Sequence, residues 1–338
     1  MEPLPSADAS SLCTSSTISA SKSKRIPVSA IIPCAGRIER LKKTLHSIDN
    51  QSAVPSEIIV IDGSPNYFII KSLVEWNFQN LKLKVVEATK RGAAVQREQG
   101  VSLATEQYIF FLDDDIDLQS GCIESMWNRI YDNKDLGGCN AMITNQSYNP
   151  PGKWMRRLLG YVGCPTEGSL AGRCCGPALN FLPADNLHEE NPISVQWLNT
   201  TCTLYRRSAL PSPAVFLNFF HGYSLMEDLA LSMHVGKTSK LETLPSARIF
   251  HDSVNASYKS NALQRSTMEC TNRWFVMTRI MGRTGALWNF RLAIYEFLGL
   301  LISLRSRHGL TLFLPRMAGM AIAMFRIATA GRNWKGYP

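Results

Sequence analysis

An unbroken apolar run, Tyr108-Ile109-Phe110-Phe111-Leu112, passes directly into three aspartates, Asp113-Asp114-Asp115. Five apolar residues with no polar alternation do not suit a half-solvated sheet; they read as a strand buried on both faces. Strands of that kind belong to parallel sheets covered by helices on each side. Three carboxylates at the end of such a strand repel one another unless a cation lies between them. Hard oxygen ligands suit Mg²⁺ or Mn²⁺, so a divalent metal is the expected cofactor.

The flanking sequence carries the same α/β alternation. Residues 26–33 read as a strand stopped at Pro33. Arg37 to Asp49 reads as a helix with Leu41, Leu45 and Ile48 on one face, and Glu57 to Asp62 as a second strand closed by Gly63-Ser64-Pro65. An amphipathic helix from about Tyr67 to Phe78, a strand from Leu83 to Val86 and a helix from Arg91 to Ala104 follow. Asp117 to Met126 has the acids of a helix start, and Gly137 to Thr144 reads as a strand. From Asn145 to Ser194 periodicity fades among prolines and glycines, and so long a loop-rich stretch within a domain is usually functional or partly disordered. Val195 to Arg206 then reads as strand, Leu225 to Val235 as a helix opened by Glu227-Asp228, and Leu241 to Phe250 as extended chain with His251 at its end. Ligands of open α/β sheets gather at the carboxyl ends of the strands. That rule puts Asp62 and Asp113–Asp115 on one cleft.

The rest of the chain has a different character. Residues 1–25 are serine-rich, with Lys22, Lys24 and Arg25 last and no apolar core, which reads as a disordered leader. Of the formal charge of +9, residues 284–338 hold +6, from seven cations against the single acid Glu296. Ala286–Leu304 and Leu310–Ala328 are strongly apolar but interrupted by Arg291, Glu296, Arg316 and Arg326. That composition points to helices lying in an anionic membrane surface rather than to nucleic acid. Nine cysteines without CxxC or Cys/His spacing read as free thiols of a reducing compartment. The expected location is cytoplasmic, peripheral at the inner face of the membrane.

Several short motifs now stand in order: Val28-Ser29-Ala30-Ile31-Ile32-Pro33 with Leu41, Leu45, Ser47 and Gln51; Glu57-Ile58-Ile59-Val60-Ile61-Asp62-Gly63-Ser64; Arg91-Gly92 with Arg97 and Gly100; Phe111-Leu112-Asp113-Asp114-Asp115; Trp197-Leu198 with Tyr205-Arg206-Arg207; Gly222-Tyr223 and Glu227-Asp228-Leu229. Over roughly residues 26–252 this succession resembles family 2 glycosyltransferases. The resemblance implies a GT-A fold, a nucleotide-sugar donor, a divalent metal and inversion at the anomeric carbon. It implies one transferase domain over 26–258, with a nucleotide-binding half at 26–118 and an acceptor half at 119–258, followed by a basic amphipathic helical region at 259–338.

By the same resemblance Pro33, Asp62, Arg97, Asp113 and Asp114 belong to the nucleotide-sugar site, with Asp62 at the nucleobase and Arg97 near the diphosphate. Asp115 and His251 are the metal residues and Asp228 is the base. Trp197 and Glu227 are read as acceptor contacts, with Trp197 either stacking on a sugar face or packing as a core aromatic, and Glu227 pairing with an arginine or capping its helix. The sequence departs from the family pattern at Ile61-Asp62, where one of two aspartates is absent, and at Asn199-Thr200-Thr201. It departs again at Arg97-Glu98, where a glutamate places negative charge beside the diphosphate.

The chemistry asks for these groups. A poor hydroxyl nucleophile needs a base such as Asp228, and a departing nucleoside diphosphate needs positive charge as it leaves. The expected acceptor is a lipid-linked or cell-surface glycan. A polyprenyl phosphate is the alternative within the transferases; nucleotidyl transfer and a non-catalytic membrane-binding module are alternatives of other classes.

Overall fold

The computed structural model describes residues 23–65, 76, 78–185, 191–222, 224–253 and 261–338. The serine-rich leader up to residue 22, nearly all of the expected helix at Tyr67 to Phe78, and Tyr223 lie outside the described residues.

The first half alternates strand and helix: β1 (Lys24–Cys34), α1 (Ile38–Asp49), β2 (Ala53–Asp62), β3 (Leu83–Glu87), α2 (Ala93–Leu103) and β4 (Tyr108–Leu112). Then come β5 (Ile116–Leu118), α3 (Cys122–Asp132), β6 (Leu136–Ile143), α4 (Lys153–Tyr161), β7 (Cys174–Cys175), β8 (Leu179–Asn180) and β9 (Ile193–Ser194). The chain continues through β10 (Cys202–Arg206), α5 (Glu227–Val235), β11 (Lys240–His251), α6 (Ala262–Phe275), α7 (Ala286–Ser303) and α8 (Arg307–Ala330). One sheet takes the order β3-β2-β1-β4-β10-β6-β11-β5, with β9 also on β11. Strands β3, β2, β1 and β4 run parallel, as do β6 and β11, whereas β10, β5 and β9 run against their neighbours.

Burial on both faces explains the uninterrupted apolar runs. In β4, Phe110 and Leu112 join the core beneath α1 and α3, whereas Ile109 and Phe111 point to the opposite core with α2, α5 and α6. On that second face Gly100 lets α2 press onto β1, since a Cβ there would lie 2.3 Å from Ile31 Cγ2. On the first face the polar residues of α1 have partners. Thr44 Oγ1 donates to Ile116 O at 2.8 Å and accepts from Ile116 N–H, and Ser47 Oγ accepts from Leu118 N–H at 3.3 Å. Helix α1 thereby fastens the strand that follows the three aspartates.

Three regions differ from the sequence expectation. The segment after Asp115 is a strand before it is a helix, because Ile116–Leu118 pairs antiparallel with β11 and sets Ile116 opposite His251. The loop-rich stretch holds α4, whose start after Pro150-Pro151-Gly152 has the signal of a helix N-terminus. Val195–Thr201 is not a strand; the ladder of β10 begins only at Cys202. The eight described cysteines are buried and unpaired.

Helices α7 and α8 are each long and apolar enough to cross a membrane, by length and composition alone. Their faces leave Leu287, Phe290, Phe297, Leu310, Leu314 and Phe325 exposed. Helix α6 and the π-helical turn Val276–Ile280 that continues it belong to the core as well as to the tail: Phe275, Val276 and Met277 are fully buried on the second face of the sheet.

Candidate active site

The parallel register pairs Cys34 with Asp62 and Pro33 with Ile61, so β1 and β2 end level with each other. Asp62 is 2 % exposed; its Oδ1 accepts the Ser64 N–H at 2.8 Å, while Oδ2 has no partner among the described residues. A buried carboxylate oxygen left unmatched costs about 1–3 kcal/mol unless a ligand meets it. Gln96 Nε2 donates to Cys34 O and Ile61 O, at 3.0 and 2.7 Å, and so ties α2 to both strand ends. Pro33 itself is buried in β1.

The acidic turn after β4 is surrounded by cations. Arg97 donates to Asp113 Oδ1 at 2.6 Å and to Glu227 Oε1 at 3.1 Å. Arg37 grips the fully buried Asp114 through two nitrogens and meets Asp115 Oδ2 at 2.7 Å. Arg40 bridges Asp252, at 3.2 Å, to Asp115, at 3.8 Å. His251 Nε2 lies 3.2 Å from Asp115 Oδ1, and its segment is held by Asn145, which exchanges two hydrogen bonds with its backbone. Asp114 and Asp115 therefore differ. Burial pushes Asp114 up to about 6 despite Arg37. Burial also opposes ionisation of Asp115, but the His251 hydrogen bond with Arg37 and Arg40 outweighs it and holds that carboxyl below its ordinary range.

Ligand atoms of Asp113, Asp115 and His251 lie within 4.8 Å of one another. Two carboxylates and an imidazole make a donor set that accommodates Mn²⁺ or Mg²⁺. The residues present fit the metal that the sequence asks for.

Helix α5 is aimed into the same cleft by a tight entry. Ser224 and Met226 both adopt the left-handed backbone, with φ of 54° and 73°, immediately before Glu227. Such conformations cost about 1–3 kcal/mol each and persist where the surroundings impose them. Here Ala94 N–H reaches Ser224 Oγ at 3.4 Å, Gly92 bridges to Gly222, and Asn272 Nδ2 donates to Leu225 O at 2.6 Å. Burial, and then the neighbouring Asp228, push Glu227 up to about 8. Burial raises Asp228 to about 6, and its Oδ1 caps the Leu229 N–H at 2.7 Å.

Arg97 thus joins Asp113 to Glu227, and Asp115 meets His251 beside them, whereas several expected contacts change. Trp197 is 7 % exposed, packs in the core and spends its indole N–H on Phe181 O at 2.8 Å, so no open ring face is left for a sugar. Asp114 faces Arg37 inside the protein, so its carboxylate is not open to the donor. Glu227 is only 8 % exposed and is occupied by Arg97. Glu98 turns away from the acidic cluster and accepts the Phe216 N–H at 2.7 Å, so its charge is not spent beside a diphosphate. Arg37, Arg40 and Asn145 were not anticipated. The signal for the arginines was their position, just after β1 at the carboxyl edge of the sheet.

The family model for glycosyl transferase family 2 matches residues 29–210, more than half of the chain. The chain is similar to the poly(ribitol-phosphate) β-N-acetylglucosaminyltransferase TarP of Staphylococcus aureus (strain N315), 30 % identical over 104 residues, or 30 % of this chain and 32 % of that protein. It is also similar to the GalNAc(5)-diNAcBac-PP-undecaprenol β-1,3-glucosyltransferase of Campylobacter jejuni, 31 % identical over 106 residues, or 30 % of this chain and 34 % of that protein. The matches thus span about a third of these curated relatives. Among solved structures, the mannosyltransferase PcManGT of Pyrobaculum calidifontis superposes with a TM-score of 0.51 at 14 % identity, covering 91 % of this chain and 76 % of that one. That likeness gives the fold, a GT-A sheet sandwiched by helices.

Proposed function

This chain belongs to glycosyl transferase family 2, and from that premise we propose that it moves a sugar from a nucleoside-diphosphate donor to a hydroxyl of a lipid-linked or cell-surface glycan, with inversion. Family membership favours this over nucleotidyl transfer or a non-catalytic membrane-binding module. The observation that carries the reading is the joining of Asp113, on the metal side, to Glu227, beside the base, through the single guanidinium of Arg97.

In this reading Asp62 receives an N–H of the nucleobase on its unpartnered Oδ2. Asp113, Asp115 and His251 hold the divalent metal, which when bound offsets the negative charge gathering on the departing diphosphate. Arg97, with its Nε unpartnered and buried, keeps Asp113 and Glu227 in register and turns positive charge toward the same diphosphate. Asp228 takes the proton of the acceptor hydroxyl as that oxygen attacks the anomeric carbon from the face opposite the diphosphate. Its raised pKa places it close enough to neutrality to be both ionised and an effective base. Asp114 and Arg37 fix the turn that carries Asp113 and Asp115.

Residues 26–258 form the catalytic domain in this reading, with donor contacts within 26–118 and acceptor contacts within 119–258. The basic segment 259–338 sets it against the inner, cytoplasmic face of an anionic membrane. The exposed apolar faces of α7 and α8 support that placement.

A thermal-shift screen with UDP, GDP, dTDP and CMP, each with and without Mn²⁺, tests the donor site, since a ligand of the native state raises Tm by mass action. One diphosphate is expected to stabilise the protein in a metal-dependent way that Asp115→Ala abolishes. Absence of any such shift overturns the reading.

A further inference from the structure

Outside the acidic cluster, a cavity of about 850 Å³ is walled by residues between Leu217 and His221, by one flank of α6, by the end of α8 and by Asn333 to Gly336. The α6 flank is uncharged: Gln264, Thr267, Met268 and Thr271 line the cavity at helical spacing. The two acids of residues 259–338 lie elsewhere. Glu269 and Glu296 pair with Arg265 and Arg273, and both glutamates line a separate cavity. No carboxylate lines this one among the described residues, whereas Arg326 of α8 and Lys335 do. Neither cation is within salt-bridge distance of a carboxylate among the described residues.

An exposed cation is ordinarily only solvated, but these two stand on fixed backbone. Lys335 lies between two anchors. Trp334 packs on Phe219, with ring centroids 5.0 Å apart, and Tyr337 Oη donates to Val215 O at 2.7 Å. Phe219 in turn lies flat on Phe275 at 3.8 Å, and Arg279 donates to Gly331 O at 2.8 Å. Arg326 follows Ile322 by one turn of α8, and both line the cavity. Asn218, Gln264 and Asn333 add side-chain amides without a hydrogen-bond partner among the described residues. Two cations and three free amides, with no opposing carboxylate, suit an anion carried on a hydroxylated framework.

The cavity also adjoins the entry to α5. Asn272 lines it and donates to Leu225 O at 2.6 Å. Leu225 and Asp228 are three residues apart in the chain, which puts their Cα atoms within about 11 Å. We infer that this cavity is an acceptor subsite for an anionic glycan, in which Arg326 and Lys335 hold a carboxylate or phosphate while another unit of the same glycan presents its hydroxyl to Asp228. The inference rests on the hydroxyl-acceptor reading above and narrows it to charged acceptors. The wall on the entry to α5 favours a ligand that reaches the base over a bulk membrane lipid.

Two pairs of probes test it on the full chain, in metal-free buffer of low ionic strength. Trigalacturonate is set against its methyl ester, which keeps the sugars and removes the charge, and glycerol 3-phosphate against glycerol. Binding is followed by the methyl resonance of Met268, which lines the cavity and is assigned with Met268→Leu. A saturable shift with the anion is expected, the neutral partner binding at least about tenfold more weakly. Arg326→Gln combined with Lys335→Gln should weaken the anion by about tenfold or more. Both side chains are exposed, so the double variant is expected to keep the parent Tm. Equal response to charged and neutral probes, no response to either anion, or a double variant within about twofold of the parent overturns the inference. A response to phosphatidylglycerol vesicles alone overturns it in favour of a lipid headgroup.

Stabilisation by nucleoside diphosphate with Mn²⁺, measured on the same double variant, separates the two claims. A shift equal to the parent's, alongside lost anion binding, supports a subsite distinct from the donor site. Loss of that shift in the double variant overturns the distinction. Its absence in the parent overturns the transferase reading on which the inference rests, whatever the cavity binds.

Discussion

Arg97 and Glu227 stand 130 residues apart in the chain and 3.1 Å apart in space, and the same guanidinium reaches Asp113 at 2.6 Å. One planar fork therefore sets the distance between Asp113, in the proposed metal group, and Glu227, beside the proposed base. A lysine keeps the charge but not the fork, so it cannot hold both carboxylates in the same geometry. Arg97→Lys is expected to lower kcat on the order of a hundredfold, with a smaller change in donor KM. Steady-state kinetics measure this; a kcat equal to the parent's would show that the bridge has no part in turnover.

Asp228 titrates near 6 in the folded chain because burial disfavours its charge. A base must be ionised to accept a proton, so kcat is expected to fall as pH drops through about 6 and to level off above it. Asp228→Asn should remove that acid limb and cost about 10²–10⁴ in rate with a hydroxyl acceptor. Full activity in the Asn variant would instead indicate an acceptor oxygen that is already ionised, as in a polyprenyl phosphate.

The neighbouring Glu227 moves from 4.5 to about 8 on folding, again chiefly through burial. Between those values the folded state binds more protons than the unfolded one, so its contribution to stability shrinks as pH rises and is spent above about 8. The ligand-free protein is expected to show a falling Tm from about pH 6 to about pH 8. Glu227→Gln, which stays neutral, should flatten that slope. Asp114, raised to about 6, works in the same direction but at lower pH, so it does not mask the result.

His251 reaches Asp115 because β5 pairs with the end of β11, and Asn145 fastens the histidine backbone. His251→Ala removes one of three clustered donors and leaves both carboxylates. Mn²⁺ affinity in the presence of nucleoside diphosphate, followed by electron paramagnetic resonance, is expected to weaken roughly 10–100-fold, the range typical for losing support at a metal site. An unchanged affinity would remove the histidine from the metal set.

Much of this is legible in the sequence, and for a specific reason. In β4 both faces are buried, so the apolar run itself declares a central strand, and the aspartates fall where such strands place ligands. Trp197 was not legible. An aromatic before a turn packs or stacks according to which residues fold over it, and Phe181 O, sixteen residues away, decided the matter. Arg37 and Arg40 were hidden for the converse reason: cations at the start of a helix usually face water, and only the return of Asp114, Asp115 and Asp252 to that end gives them partners. Glu98 shows the same dependence, since its helical neighbour Arg97 faces the cleft while Glu98 holds the Phe216 backbone.

Gly100 links the fold to the chemistry. It lies on α2 one turn after Gln96 and Arg97, and its bare Cα is what allows that helix to sit against Ile31 of β1. Gly100→Ala should gain about 1 kcal/mol of helix propensity. The new methyl, however, would lie 2.3 Å from Ile31 Cγ2, and Ile31 is fully buried with nowhere to turn. Overpacking of that kind costs about 1–3 kcal/mol and shifts the backbone. A shift of α2 away from the sheet would pull Gln96 from the ends of β1 and β2 and Arg97 from Asp113. A lower Tm and a lower kcat are therefore expected together, by calorimetry and steady-state kinetics. Adding Ile31→Ala makes room for the methyl and should restore kcat further than it restores Tm, because it reseats the helix while leaving a smaller core. A Gly100→Ala protein with parent kcat would show that the seating of α2 does not govern the position of Arg97.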